Sequence, residues 1–201
     1  MRSVTHLTIA FLLLVVSSSQ SGAQSTPRGA ANRFYRTYLK LRVRGLPNKR
    51  QRKVLWPLFA PDLRQMFEAA EREQTKFSRE NPGEKPPWCE GDLFSSLFEG
   101  AQAFTLGDPK LSGDRIYVPV NLIFRDKTDT ARWTDTLVLL NRNGHWLISD
   151  ILFNGDWPFK TGDSLRGVLK IDQSSGMPPN KSFDASGGSV KDLPGRYRSR
   201  F

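Results

Sequence analysis

The feature that most constrains the fold is a change of hydrophobic period near residue 100. Before it, apolar residues recur at the three-to-four spacing of an amphipathic helix; after it they alternate one by one, as in a strand with one buried face. Helices first and an antiparallel meander second imply an α+β domain in which N-terminal helices pack on one face of a curved antiparallel sheet.

The helical half opens between Ala31 and Arg44, where Phe34, Tyr35, Tyr38, Leu39 and Leu41 make an apolar stripe opposite Arg33, Arg36, Lys40 and Arg44, and Gly45 and Pro47 end the run. A short basic segment follows through Lys53-Val54-Leu55-Trp56. A third helix begins at Ala60-Pro61-Asp62, with proline in its first turn and an acid near its positive end; its core face is Leu63, Met66, Phe67, Ala70 and Phe77. Asn81-Pro82-Gly83 stops it, and Lys85-Pro86-Pro87-Trp88 leads stiffly into GDLFSSLFEG at 91–100. That stretch reads as a helix start near Asp92 with Phe94, Leu97 and Phe98 in the core.

The strands are Arg115–Phe124, Arg132–Leu140 and His145–Phe153, with a shorter one around Ala103–Leu106. Asn143-Gly144 is a two-residue hairpin signal, because both residues tolerate the positive φ of such a turn. A last helix is expected from Asp163 through Leu165, Val168 and Leu169, and residues 172–201, rich in Ser, Gly, Pro and charge, read as a flexible polar and basic tail.

Residues 1–23 have the form of a secretory signal peptide: Arg2 at the start, an apolar run from Ile9 to Val16, and small residues at Ser21-Gly22-Ala23. The run is well short of the roughly 20 residues that span a bilayer. The expected product is therefore a single domain over 24–171, periplasmic or extracellular after cleavage near Ala23, with no transmembrane segment. The one cysteine and two histidines exclude a disulfide scaffold, cysteine-rich zinc and iron–sulfur sites and multi-histidine metal sites; no metal or cofactor is called for.

The chain carries a formal charge of +10. Much of the excess lies between Arg33 and Lys53, a stretch without one acid, so Arg36, Lys40, Arg44, Lys49, Arg50, Arg52 and Lys53 are candidate anion-binding residues. For an exported protein an anionic surface or an acidic protein is the expected partner, and nucleic acid is not, because no nucleic-acid motif accompanies the charge.

The opening FYRTYL (34–39), the segment GDLFSSLFEG and the strand GHWLISDILF (144–153), which contains Gly-x-Trp-x-Ile-x-Asp, resemble small exported bacterial domains of unknown function in the nuclear-transport-factor-2-like superfamily. The resemblance covers about residues 30–171. It implies a cone-like fold with a pocket between the long helix and the concave sheet, and it makes a homodimer plausible. It carries no activity, since function belongs to the pocket and not to the fold.

With Asn143-Gly144 as the turn, Arg142 opposes His145, Leu137 opposes Asp150 and Asp135 opposes Leu152. Trp133, Asp135, Leu137, Leu139, Trp146, Ile148, Asp150 and Leu152 then share one face, with Asp135 and Asp150 placed diagonally at roughly 7 Å. The ligand pocket is expected from Trp133, Asp135, Trp146, Asp150 and Tyr38. Desolvation and mutual repulsion would raise a carboxyl pKa there, which suits a general base or acid; Asp150 is the first catalytic candidate and Asp135 the second. The competing role for either acid is a structural pair with Arg33 or Arg36. The same register puts Tyr117, Ile123, Val138, Leu140, Leu147, Ile151 and Phe153 on the convex face, a candidate dimer surface.

Weaker constellations are Cys89 with His145 as nucleophile and base, Glu90, Asp92 and Glu99 as a calcium site, and Trp133 with Trp157 as a stacking pair at the pocket mouth. Asn180-Lys181-Ser182 is a formal glycosylation sequon. Three functions follow: a non-catalytic binding or protein-interaction domain of the cell envelope, favoured by the shortage of catalytic side chains; a small-molecule isomerase or dehydratase using Asp150; and a polyanion-binding protein acting through residues 33–53.

Overall fold

A computed structural model describes residues 26–127, 129–157 and 162–170. The expected signal peptide, the sequon and the tail beyond 171 lie outside the described residues.

Helix α1 spans Pro27–Leu41, starting before Ala31 because Thr26 caps it, its hydroxyl accepting from Gly29 N, with Pro27 in the first turn. It stops at Arg42, which is left-handed at φ 45° and returns its N–H to Tyr38 O, so the helix ends before Arg44. Helix α2 (Lys49–Leu55) is a full two turns rather than the short Lys53–Trp56 segment. Asn48 and Gln51 form a reciprocal capping box that starts it. A 3₁₀ turn at Trp56–Leu58 leads into α3 (Pro61–Glu80), which buries Leu63, Phe67 and Ala70 and leaves Met66 and Phe77 half-buried.

The strands are β1 (Ala103–Leu106), β2 (Lys110–Ser112), β3 (Arg115–Arg125), β4 (Thr130–Arg142) and β5 (His145–Leu152), and a short helix α4 (Leu165–Leu169) follows. All pairings are antiparallel. The sheet order is β1-β3-β4-β5, with β2 beside β3 further along the edge that β1 uses. Pro119 explains the break between β1 and β2: Gly107 N donates to Pro119 O at 2.8 Å, but proline has no N–H to return, so the ladder stops there. The far edge, β5, is covered by Ala60 N donating to Ile148 O and by Phe153 N donating to Asp163 O.

The β4–β5 hairpin follows the expected register from Arg142–His145 to Leu139–Ile148 and then slips by one residue. Ser149 is the extra residue. Beyond it Asp150 opposes Val138 and Ile151 opposes Leu137. A one-residue slip exchanges the faces of everything downstream. Ile151 and Phe153, expected on the convex side, are therefore core residues at 0% and 5% exposure, and Asp150 leaves the face that carries Asp135.

Segment 91–100 is not a helix. It is a loop closed by Asp92 N donating to Phe98 O, with Phe98 exposed and Phe94 and Leu97 buried. The Phe94 ring lies 5.8–5.9 Å from the rings of Phe34, Tyr38, Phe59 and Phe67, so this loop fills the space between helices and sheet. Such aromatic pairs are each worth about 0.5–1.5 kcal/mol beyond area burial.

Candidate functional site

Asp135 comes from the inward face of β4 and is fully buried. Its Oδ2 accepts from Ser96 N (2.9 Å) and Trp133 Nε1 (3.1 Å), and its Oδ1 from Asn154 N (3.0 Å). One carboxylate thereby fastens the 91–100 loop and the chain leaving β5 to the middle of the sheet. Burial raises its pKa, and the donated bonds from Ser96, Trp133 and Asn154 pull the other way. Ser96 is held in turn by Trp157 Nε1, which donates to its hydroxyl at 3.3 Å, and the Trp157 ring meets Trp133 edge-on at 5.8 Å. Both tryptophans are buried. They pack the interior and are not a mouth for a flat ligand.

Asp92 forms a second node. The Tyr38 hydroxyl donates to Asp92 Oδ2 at 2.7 Å and accepts from Ala101 N at 2.9 Å, while Phe94 N donates to Asp92 Oδ1 at 2.7 Å. Burial pushes the Asp92 carboxyl up to about 7; Tyr38, Phe94 N and the field of Arg44 oppose this, and Asp135 adds to it. Gly100 is required beside it, because at φ +77° a Cβ would stand 2.2 Å from Asp92 Oδ2. One turn before Tyr38, the Tyr35 hydroxyl is buried with no hydrogen-bond partner, and burial followed by the fields of Asp135 and Asp92 drives its pKa up.

Asp150 has a different task. At 8% exposure, its Oδ1 accepts from Arg166 N (3.0 Å) and Ile151 N (2.8 Å), and Ser164 adds a side-chain bond. Ser164 is the N-cap of α4, so Asp150 ties the first turn of that helix to the sheet. Burial nevertheless leaves its pKa raised. The expected pairing with Arg33 or Arg36 is replaced by backbone donors, and the bulge at Ser149 is the reason.

Of the five expected pocket residues, Tyr38, Trp133 and Asp135 are buried in the interior, Trp133 bonded to Asp135 and Tyr38 to Asp92, and Asp150 sits at α4. Trp146 lines a surface cleft of about 270 Å³ with Arg33, Pro57, Arg142 and His145. Cys89 lines another cleft, with Arg44, Gln74 and Trp88, so it shares no site with His145. Glu90 pairs with the Lys85 ammonium and Asp92 accepts from the Tyr38 hydroxyl, and among the described residues no three His, Cys, Asp or Glu side chains are grouped to hold a metal.

The basic segment is divided. Arg52 pairs with Glu71 through both guanidinium ends and covers the Trp56 ring at 5.7 Å; Arg44 donates to Phe98 O at 3.0 Å. Lys40, Lys49, Arg50 and Lys53 are exposed. Arg36 lines a shallow groove of about 980 Å³ between α1 and β1, together with Arg28, Asn32, Arg33, Thr37, Phe104, Thr105 and Leu106. Arg28 was not singled out by the sequence, and β1, expected there as a strand, was not read as part of a site. The basic spacing from Arg28 through Arg33 to Arg36 along one helix was the available signal.

Fold and site together define an α+β domain with a filled, hydrogen-bonded interior and basic clefts on its surface. No protein-family model matches the chain, and no curated protein matches it. Among solved structures it is similar to the type VI native effector-immunity complex Tae3-Tai3 from Ralstonia pickettii, at 16% identity over 67% of this chain and 99% of that one, with a TM-score of 0.37. Among the described residues, no helix is long and apolar enough to cross a membrane.

Proposed function

We propose that this chain is an exported, non-catalytic protein-interaction domain of the cell envelope, built on a cone-like scaffold of the nuclear-transport-factor-2-like kind. The observation that carries the reading is the employment of the interior acids. Asp135 and Asp150 accept bonds from backbone N–H groups that hold loops and α4 in place, and Phe94 is buried among the rings of Phe34, Tyr38, Phe59 and Phe67 in the core. Both carboxylates are thereby engaged in holding the chain together, and Asp135 is in addition fully buried, away from any substrate in solvent. Export rests on the leader-like pattern of residues 1–23.

The test combines the purified chain with fractionated envelope proteins and with a small-molecule metabolite pool. The expected result is a complex of defined stoichiometry that re-forms from its two purified components and persists in Asp150→Asn. A small molecule retained in native mass spectra and released by Asp150→Asn would overturn the reading in favour of a pocket enzyme.

A further inference from the structure

β1 is an edge strand, and the phase of its pairing says which backbone groups are unused. Because Gly107 N bonds Pro119 O, residues 103, 105 and 107 direct their backbone groups toward β3, and Phe104 and Leu106 direct theirs outward. Where the strand ends, Arg28 donates to Leu106 O at 3.1 Å and to Gly107 O at 3.0 Å, the carbonyl that Pro119 cannot serve. The Phe104 N–H and C=O and the Leu106 N–H are left facing the groove between β1 and α1. An open edge of this kind is a template for another strand.

The groove has a definite charge. Among the described residues Arg28, Arg33 and Arg36 line it and no Asp or Glu does; Asp108 lies 3.7 Å from the Arg28 guanidinium with a fully exposed side chain. A second copy of this chain would set arginines against arginines across the joined edges, which costs free energy. An acidic strand would place carboxylates beside the guanidiniums while its backbone completes the ladder.

We propose that the α1–β1 groove docks an extended acidic segment of a partner protein, which adds as a strand to β1 through Phe104 and Leu106 and is held by Arg28, Arg33 and Arg36. The proposal rests on the protein-interaction reading and names its surface.

The test uses the full chain and an acetylated, amidated peptide of four Glu-Val repeats. Two control peptides accompany it: the Lys-Val counterpart, and the Glu-Val peptide N-methylated on alternate residues, which keeps the charge but cannot donate along one edge. The acidic peptide is expected to slow amide exchange at Phe104 and Leu106 at least tenfold. Both controls, and the acidic peptide with the Arg33→Glu/Arg36→Glu variant, should bind at least tenfold more weakly, and affinity should fall as salt is raised. Equal binding of the N-methylated peptide, binding without slowed exchange at Phe104, or no binding of the acidic peptide each overturns the groove proposal, whatever the arginine variant does. A self-associated complex joined through β1 overturns it in favour of a homodimer. If a reconstituted partner complex leaves Phe104 exchange unchanged, the interaction reading stands and only the groove is lost; if no partner complex forms, both fall.

Discussion

The interior around Asp135 and Asp92 and the groove beside β1 are both rich in polar groups, and they use them in opposite ways. Inside, nearly every donor and acceptor is matched within the chain: Asp135 takes three bonds, and Tyr38 bridges Asp92 and Ala101. Along β1, the Phe104 N–H and C=O and the Leu106 N–H face outward, and Arg28, Arg33 and Arg36 line the same groove with no acid among the described residues. Matched polar groups in a low-dielectric interior give rigidity, whereas open backbone groups at a sheet edge give capacity to bind. The chemically suggestive acids of this protein thus belong to its scaffold, and the docking surface proposed above lies at the plainer edge.

The largest break in that contrast is expected from Asp135→Ala, which orphans Ser96 N, the Trp133 indole N–H and Asn154 N in the core. Chemical denaturation should show a loss of about 3–5 kcal/mol. Tyr38→Phe should cost about 2 kcal/mol by the same measurement, because Ala101 N and Asp92 lose a shared partner.

The pH dependence follows from Asp92. Its folded pKa of about 7 lies above the unfolded carboxyl value, so the folded state holds the proton more tightly. Its contribution is complete below the unfolded value and disappears as pH rises through 7. Asp135 and Asp150, also raised, act with the same sign. Between pH 5.5 and 8 stability should fall, with about 1–2 kcal/mol traceable to Asp92, which is only part-buried as a residue. Asp92→Asn should flatten that part of the profile, and an unchanged profile would contradict the assignment. The smallest effect has the opposite sign: Tyr35→Phe removes the unmatched hydroxyl and should raise stability by about 1 kcal/mol. That outcome would set Tyr35 against Tyr38, one turn away, as a direct measure of what matching is worth.

Much of the fold was legible. The amphipathic stripe of Phe34, Tyr35 and Tyr38, the proline start of α3 and the Asn143-Gly144 turn all follow from periodicity and local backbone preference, and each is present. The capping box at Asn48 and Gln51 was also local, and reading only the apolar residues of that segment missed it. The candidate site fared less well. Asp135 lies on the inward face as expected, but its partners are backbone N–H groups, which every residue possesses and which no pattern of side chains reveals. Segment 91–100 has helical spacing in Phe94, Leu97 and Phe98, yet Asp92 and Ser95 bond their own backbone two residues on and support a loop instead.

By itself the sequence determined the passage from helices to an antiparallel sheet, the buried face of α1 and α3 and the basic character of α1, because these depend on hydrophobic period, caps and composition along a few neighbouring residues. The tertiary structure alone decided that Ser149 bulges, so that Asp150 turns to α4 and Ile151 turns inward. It alone decided that Phe94 occupies the would-be pocket and that β1 stays open. A bulge, a filled cavity and a free edge are relations among segments distant in the chain, set by which packing buries the most apolar surface while leaving the fewest interior polar groups unmatched.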